Sequence, residues 1–217
     1  MTIPLFVPYV NRPDLLERAV RSVQCRGVEV NIINNSDGPS IGIPGVEFIQ
    51  RRPPVPLTFA QTQNWMLNIA EGDSDYGEFY LFCHSDAEAG EGTVQKLIEL
   101  AQSLTNEGRK WGVIFTNYDA LAAFNTAAFR EVGGWDTELS WYHSDTDMYR
   151  RLELAGYELV KSNLPVKHEA SQTLNSDQAI KRNVDLMFPC RVAYYKAKWG
   201  GDAGSETYSV PFDGKAY

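Results

Sequence analysis

Short apolar runs alternate with amphipathic helical stretches through the first half of this chain, and several of those runs end in a cluster of polar residues. This alternation constrains the fold more than any other feature. Strands that alternate with helices build a mostly parallel sheet covered by helices on both faces. The run at 79–83, Phe-Tyr-Leu-Phe-Cys, is the plainest case: it is aromatic-rich, of strand length, and followed at once by His84, Ser85, Asp86 and Glu88. In open α/β sheets, ligands sit outside the carboxyl ends of the strands. A strand that delivers a histidine and two acids to that edge is a candidate metal or phosphate site. A polar turn leading into the next helix accounts for the same residues.

The same pattern places strands at 3–7, 28–33 and 112–115, and shorter ones at 46–49, 157–160 and 165–168. Helices are expected at 13–24, where Leu15, Leu16, Ala19, Val20 and Val23 form one stripe, and at 58–70, 93–104, 124–132 and 145–155. Further on, 176–187 and 189–198 read as two helical pieces divided at Pro189, and the Gly-rich 200–217 is expected to wrap the surface. No internal repeat, low-complexity tract or linker interrupts the chain. The expected organisation is an α/β domain over 1–173 with a helical and loop extension, 174–217, packed on it.

Composition narrows the function. With 217 residues, 43% of them hydrophobic and 22% charged, the chain can bury a sizeable core. A net charge of −8 argues against broad nonspecific nucleic-acid binding, which needs a positive surface. An anionic substrate therefore needs a metal ion or a local basic patch. One such patch is 181–198, where Lys181, Arg182, Arg191, Lys196 and Lys198 face a single acid, Asp185. Cys25, Cys83 and Cys190 are scattered and odd in number, so a reducing, cytoplasmic compartment is expected rather than a disulfide framework or a zinc knuckle. The start of the chain does not read as a signal peptide, and no apolar run approaches the roughly 20 residues of a transmembrane segment.

The P-loop, the Gly-x-Gly-x-x-Gly fingerprint and the Gly-x-Ser-x-Gly elbow are all missing. What is present is a set of polar strand ends: Pro8-Tyr9, Asn34-Asn35-Ser36-Asp37 and His84-Ser85-Asp86-Ala87-Glu88. Converging at one sheet edge, Tyr9 and the Asn pair suit a nucleotide base, and Asp86 offers a hard oxygen to a divalent cation that a diphosphate needs. Asn34-Asn35 also reads simply as a turn. A second constellation runs from Gly133-Gly134-Trp135-Asp136 to Trp141-Tyr142-His143-Ser144-Asp145-Thr146-Asp147. Ser144 as an N-cap with Asp147 in a capping box is one reading. The other makes Asp145, beside the aromatic faces of Trp135 and Trp141, a general base for a sugar hydroxyl. His168 follows at the end of a predicted strand.

Taken in order, these pieces span about residues 3–173: the strand ending Pro8-Tyr9-Val10-Asn11-Arg12, the strand ending Ile33-Asn34-Asn35-Ser36, Gln63-Asn64, His84-Ser85-Asp86, Gly133-Gly134-Trp135-Asp136, the stretch from Asp145 to Leu152, and His168. They resemble the GT-A fold glycosyltransferases, in particular the large family two of inverting, nucleotide-sugar-dependent enzymes. The resemblance implies a GT-A domain that moves a hexosyl unit from a nucleotide-diphosphate sugar, a UDP-sugar being the expected donor, to a hydroxyl on a glycan, a protein or a modified nucleic-acid base. Pro8, Tyr9, Asn34, Asn35, Asn64, Ser85 and Asp86 would hold the donor. Asp86, Glu88 and His168 would hold Mn²⁺ or Mg²⁺, Asp145 would be the base, and Trp135 and Trp141 would face the acceptor. Arg191, Lys196 and Lys198 are further candidates for diphosphate or acceptor contacts, from charge alone. His84 stands where the family has the first Asp of Asp-x-Asp, and Gln63 stands where it often has Arg. These departures keep open a non-catalytic nucleotide-sugar or carbohydrate-binding protein on the same fold, and beside it a nucleotidyltransferase. The compact chain resembles bacterial or phage-encoded members.

Overall fold

The computed structural model describes residues 2–169 and 172–215. In chain order the elements are β1 (Ile3–Tyr9), α1 (Pro13–Ser22), β2 (Val28–Asn34), β3 (Ile49–Arg51), α2 (Phe59–Gly72), β4 (Phe79–Cys83), β5 (Ala87–Ala89) and α3 (Thr93–Asn106). They continue with β6 (Trp111–Thr116), β7 (Tyr118–Asn125), α4 (Thr126–Glu131), α5 (Ser144–Leu154), β8 (Glu158–Lys161), β9 (Val166–His168), α6 (Gln172–Asn175) and α7 (Gln178–Trp199). Seven strands form one sheet in the order β3-β2-β1-β4-β7-β6-β8. Every neighbouring pair is parallel except those made by β7, which runs antiparallel to both β4 and β6. The small strands β5 and β9 pair antiparallel beside it.

Strand periodicity sorts the core into two layers. Leu5, Val7, Leu81 and Cys83 face the side covered by α1 and α3, where Leu16, Val20, Val94, Leu97 and Ile98 meet them. Phe6, Tyr80 and Phe82 point the other way, toward Met66 and Leu67 of α2, Phe129 of α4, and Met148 and Leu152 of α5. Consecutive side chains of a strand alternate faces, so strands apolar on both faces belong between two helical layers.

The main departures from the sequence expectation lie at β3, at β7 with α4, and at α7. The third strand lies at Ile49–Arg51, three residues beyond the expected 46–49, because its pairing with β2 begins at Asn31 opposite Ile49 and Arg51 Nε donates to Asn31 Oδ1 at 2.7 Å. Residues 118–125 form β7, a strand the alanine-rich sequence concealed. Helix α4 starts only after Asn125, whose side chain caps it by accepting from Ala128 N–H. The expected division at Pro189 is absent, and α7 runs unbroken from Gln178 to Trp199. Residues 185–190 are all exposed, so water can take the carbonyl bond that Pro189 cannot make. The flanking turns are anchored by buried Val184 and Arg191. Beyond α7, Thr207 and Tyr208 donate their N–H groups to the Trp199 carbonyl, and Arg150 binds the Tyr208 carbonyl, which folds this segment back onto α5. No helix among the described residues is long and apolar enough to cross a membrane.

Candidate active site

The parallel strands β1, β2 and β4 all end at one edge, and β7, being reversed, begins there. That edge opens into a cavity of about 360 Å³. Pro8 near the end of β1 and Val10 just beyond it line the cavity, with Asn35 after β2, and His84, Ser85 and Asp86 after β4. Tyr118 and Asp119 line it from the start of β7, Asp145 from the first turn of α5, and His168 from the end of β9. Leu57, Phe59, Trp141 and Val184 supply apolar wall.

His84, Asp86 and His168 converge, with one donor atom of each within 4.8 Å of the others. Asp86 is buried. Its Oδ1 lies 3.2 Å from His168 Nε2, and its Oδ2 accepts from Gln172 N–H at 3.2 Å. Burial pushes the Asp86 pKa up, but the His168 hydrogen bond and the two imidazoles outweigh this and hold it below the usual carboxylate value. His84 is fixed on several sides. Phe59 stacks on it at 6.3 Å, Phe82 meets it edge-on at 4.9 Å, and Asp119 Oδ1 lies 3.6 Å from its Nε2. Burial opposes its charged form, yet Asp119, Asp86 and Asp145 together raise its pKa. Asp119, itself buried, accepts from Tyr149 OH at 3.0 Å through its other oxygen. On the far side of the cavity, Asp145 Oδ2 accepts from Tyr118 OH at 2.6 Å.

A divalent cation fits this site on the chemistry of the residues present. Two imidazoles and a carboxylate face one point, and such a nitrogen-rich set suits Mn²⁺ or another transition metal better than Mg²⁺. Among the described residues lining the cavity there is no Lys or Arg, so beside His84 and His168 a bound cation would be the main compensation for an anionic ligand next to Asp86, Asp119 and Asp145.

The structure brings together Pro8, Asn35, Ser85, Asp86, Trp141, Asp145 and His168, and it places the remaining candidates elsewhere. Tyr9 is buried in the core on the α1 and α3 side. Asn34 is fully buried and its Oδ1 accepts from the N–H and hydroxyl of Ser36, so neither Tyr9 nor Asn34 lines the cavity. Asn35 itself is held by Thr62 and by Leu57 N–H. Asn64 exchanges two 2.8 Å hydrogen bonds with the backbone of Trp135, and a Cβ on Gly134, at φ +72°, would sit 2.7 Å from its Oδ1. The pair is a clamp between α2 and the loop after α4. Trp135 is 3% exposed, packed among Phe59, Phe124 and Phe129, so its indole is core and does not line the cavity.

Glu88 is not in the cation cluster. In the β5–β9 pair Ala87 sits opposite His168 and Glu88 opposite Lys167. Alternation therefore turns Glu88 to the other face, where it pairs with Arg18 at 3.2 Å. Ser144 is not the N-cap of α5. His143 holds that position at φ 66°, and Asp147, instead of closing a capping box, is fully buried against Lys198 and Trp199. The three basic candidates of α7 do not line the cavity either. Lys198 is bound to Asp136 and Asp147 and Lys196 to Asp202. Arg191 is buried on the packed face of the helix. Sequence reasoning missed Asp119 and Tyr118, although Asn117-Tyr118-Asp119 follows an apolar strand as the other polar clusters do.

No protein-family model matches the chain, and no curated protein matches it. Among solved structures, it is similar to a variant of Drosophila β1,4-galactosyltransferase 7 in complex with manganese, UDP-Gal and xylobiose. The TM-score is 0.52 at 14% identity, over 80% of this chain and 73% of that one. The catalytic domain of the same Drosophila enzyme in complex with xylobiose gives 0.50 at 13% identity, over 79% and 72%. At these identities the likeness is one of fold. The chain has the GT-A fold.

Proposed function

We propose that the chain is a glycosyltransferase that moves a sugar from a nucleotide-diphosphate donor to an acceptor hydroxyl with inversion. The observation that carries this reading is the pairing, across one cavity with no Lys or Arg among its described lining residues, of the His84–Asp86–His168 cluster with the Asp145 carboxylate. The donor proposed is a UDP-sugar, in line with the UDP-Gal bound by the galactosyltransferase of similar fold.

Pro8 and Asn35 form the wall against which the base lies, and Ser85 and Asp86 meet the diphosphate end. Mn²⁺ held by His84, Asp86 and His168 would neutralise the diphosphate as its charge develops. Asp145 is held by the Tyr118 hydroxyl on Oδ2, which fixes its carboxylate toward the cavity. The acceptor hydroxyl gives its proton to Asp145 while its oxygen bonds to the anomeric carbon from the face opposite the diphosphate. The bond from that carbon to the diphosphate oxygen breaks, and its electron pair leaves with the nucleoside diphosphate. Leu57, Phe59, Val184 and Trp141 keep bulk water from competing as nucleophile.

Asp145→Asn tests the base. Transfer from the donor should fall by about 10³-fold, the scale of general-base catalysis, while calorimetric affinity for UDP with Mn²⁺ stays unchanged. Turnover within a factor of a few of the parent would remove Asp145 from this role.

A further inference from the structure

Asp145 borders two depressions. Besides the cavity already described it lines a second cleft of about 550 Å³, together with Tyr142, His143, Thr146, Asp185 and Phe188. Tyr142 also lines both. Phe188 and Asp185 belong to α7, so this cleft lies between the start of the catalytic helix and the last long helix of the chain.

Its floor is an aromatic corner. Tyr142 meets Phe188 edge-on at 5.1 Å. His143, held at φ 66°, lies nearly parallel to Phe188 at 6.2 Å and stacks on buried Tyr195 at 4.8 Å. A positive φ on a non-glycine residue is strained, and such strain clusters where function sets the geometry. Tyr142 and Phe188 nevertheless stay 43% and 41% exposed, so two adjoining rings present open faces within reach of the proposed base.

The polar lining selects the ligand. Asp145 and Asp185 are carboxylates; Asp185 is paired with exposed Lys181 at 2.7 Å, while no Lys or Arg lines the cleft itself among the described residues. An anionic acceptor such as a nucleic-acid strand would meet the Asp145 carboxylate there, with no cation lining the cleft among the described residues. A neutral polyol finds hydroxyl acceptors instead, and the apolar face of a pyranose ring matches an aromatic face. Resting on the glycosyltransferase reading, we infer that this cleft is the acceptor subsite, and that the acceptor is a neutral glycan whose ring lies on the Tyr142–Phe188 corner and directs a hydroxyl to Asp145.

Saturation-transfer NMR with cellobiose, lactose and xylobiose, in the presence of UDP and Mn²⁺, tests this on the parent, Phe188→Ala and Phe188→Tyr. An oligothymidylate serves as the anionic comparison, and calorimetry follows UDP binding in parallel. At least one disaccharide should receive saturation. Phe188→Ala should weaken that binding about tenfold, the loss of one stacked ring, Phe188→Tyr should restore it, and UDP affinity should not change. A parent that binds UDP but no disaccharide, or that prefers the oligothymidylate, overturns the acceptor site and leaves the glycosyltransferase reading standing. A parent that binds a disaccharide through Phe188 but no nucleotide overturns that reading and keeps the sugar site. Disaccharide binding indifferent to Phe188→Ala also overturns the site.

Discussion

At the scale of single residues, the position most revealing of how the site works is Asp119. It touches His84 through one oxygen and Tyr149 through the other, which orients the imidazole toward Asp86 and His168. A carboxylate behind a metal-binding histidine fixes its ring and raises its basicity, and losing it typically costs 10- to 100-fold in affinity. Asp119→Asn should therefore weaken Mn²⁺ binding to the nucleotide-free protein by about tenfold, read by electron paramagnetic resonance of the free ion. Unchanged affinity would detach Asp119 from the cluster. Asp86, Asp145 and His168 were legible because each follows a recognisable strand or opens a recognisable helix. Asp119 was not, because Ala120, Ala122 and Ala123 hide the strand it begins. Glu88 lies apart from the cluster for the reverse reason: its distance along the chain from Asp86 is right, but pairing with β9 decides its face.

At the scale of elements, α7 is tied to α5 by a buried polar cluster. Lys198 Nζ lies 2.6 Å from Asp136 and 2.7 Å from Asp147, Trp199 Nε1 donates to Asp147 at 2.9 Å, and Arg151 bonds its other oxygen at 2.9 Å. Asp147 lies two residues beyond Asp145, so α7 holds the turn that carries the proposed base. Lys198→Met leaves buried Asp147 and partly buried Asp136 short of a partner and should destabilise the protein by about 3 kcal/mol, seen as a lower melting temperature. Burial raises the Asp136 pKa, but Lys198 more than reverses this, so the folded value lies below the ordinary one. The contribution is therefore present above the unfolded aspartate pKa of about 4 and lost as pH falls through the folded value. In Lys198→Met, stability should change less across that acid range than in the parent, and an identical acid profile would contradict this account. The cluster could not be read from the chain, since Asp136, Asp147 and Lys198 are brought together only by tertiary packing. The continuity of α7 through Pro189 depends in the same way on which side of the helix meets water.

At the scale of the molecule, the sheet explains why the site could be anticipated at all. Parallel strands deliver their ends to one edge, so the polar clusters after β1, β2 and β4 had to meet whatever their loops did. The single reversed strand adds its beginning to the same place, and this contributes Tyr118 and Asp119. The chain carries a net charge of −8, and among the described residues the cavity's acidic and basic lining consists of acids and histidines, with no Lys or Arg. In the proposed reading, a bound cation offsets the charge of a diphosphate in such a site. The most direct test is to follow UDP-sugars by phosphorus NMR with the protein and Mn²⁺, in the parent and in Asp86→Ala. The account predicts that UDP appears as the phosphorus product in the parent, that chelating the metal stops it, and that Asp86→Ala does not form it. Release of pyrophosphate, or UDP formation that survives both chelation and Asp86→Ala, would contradict it.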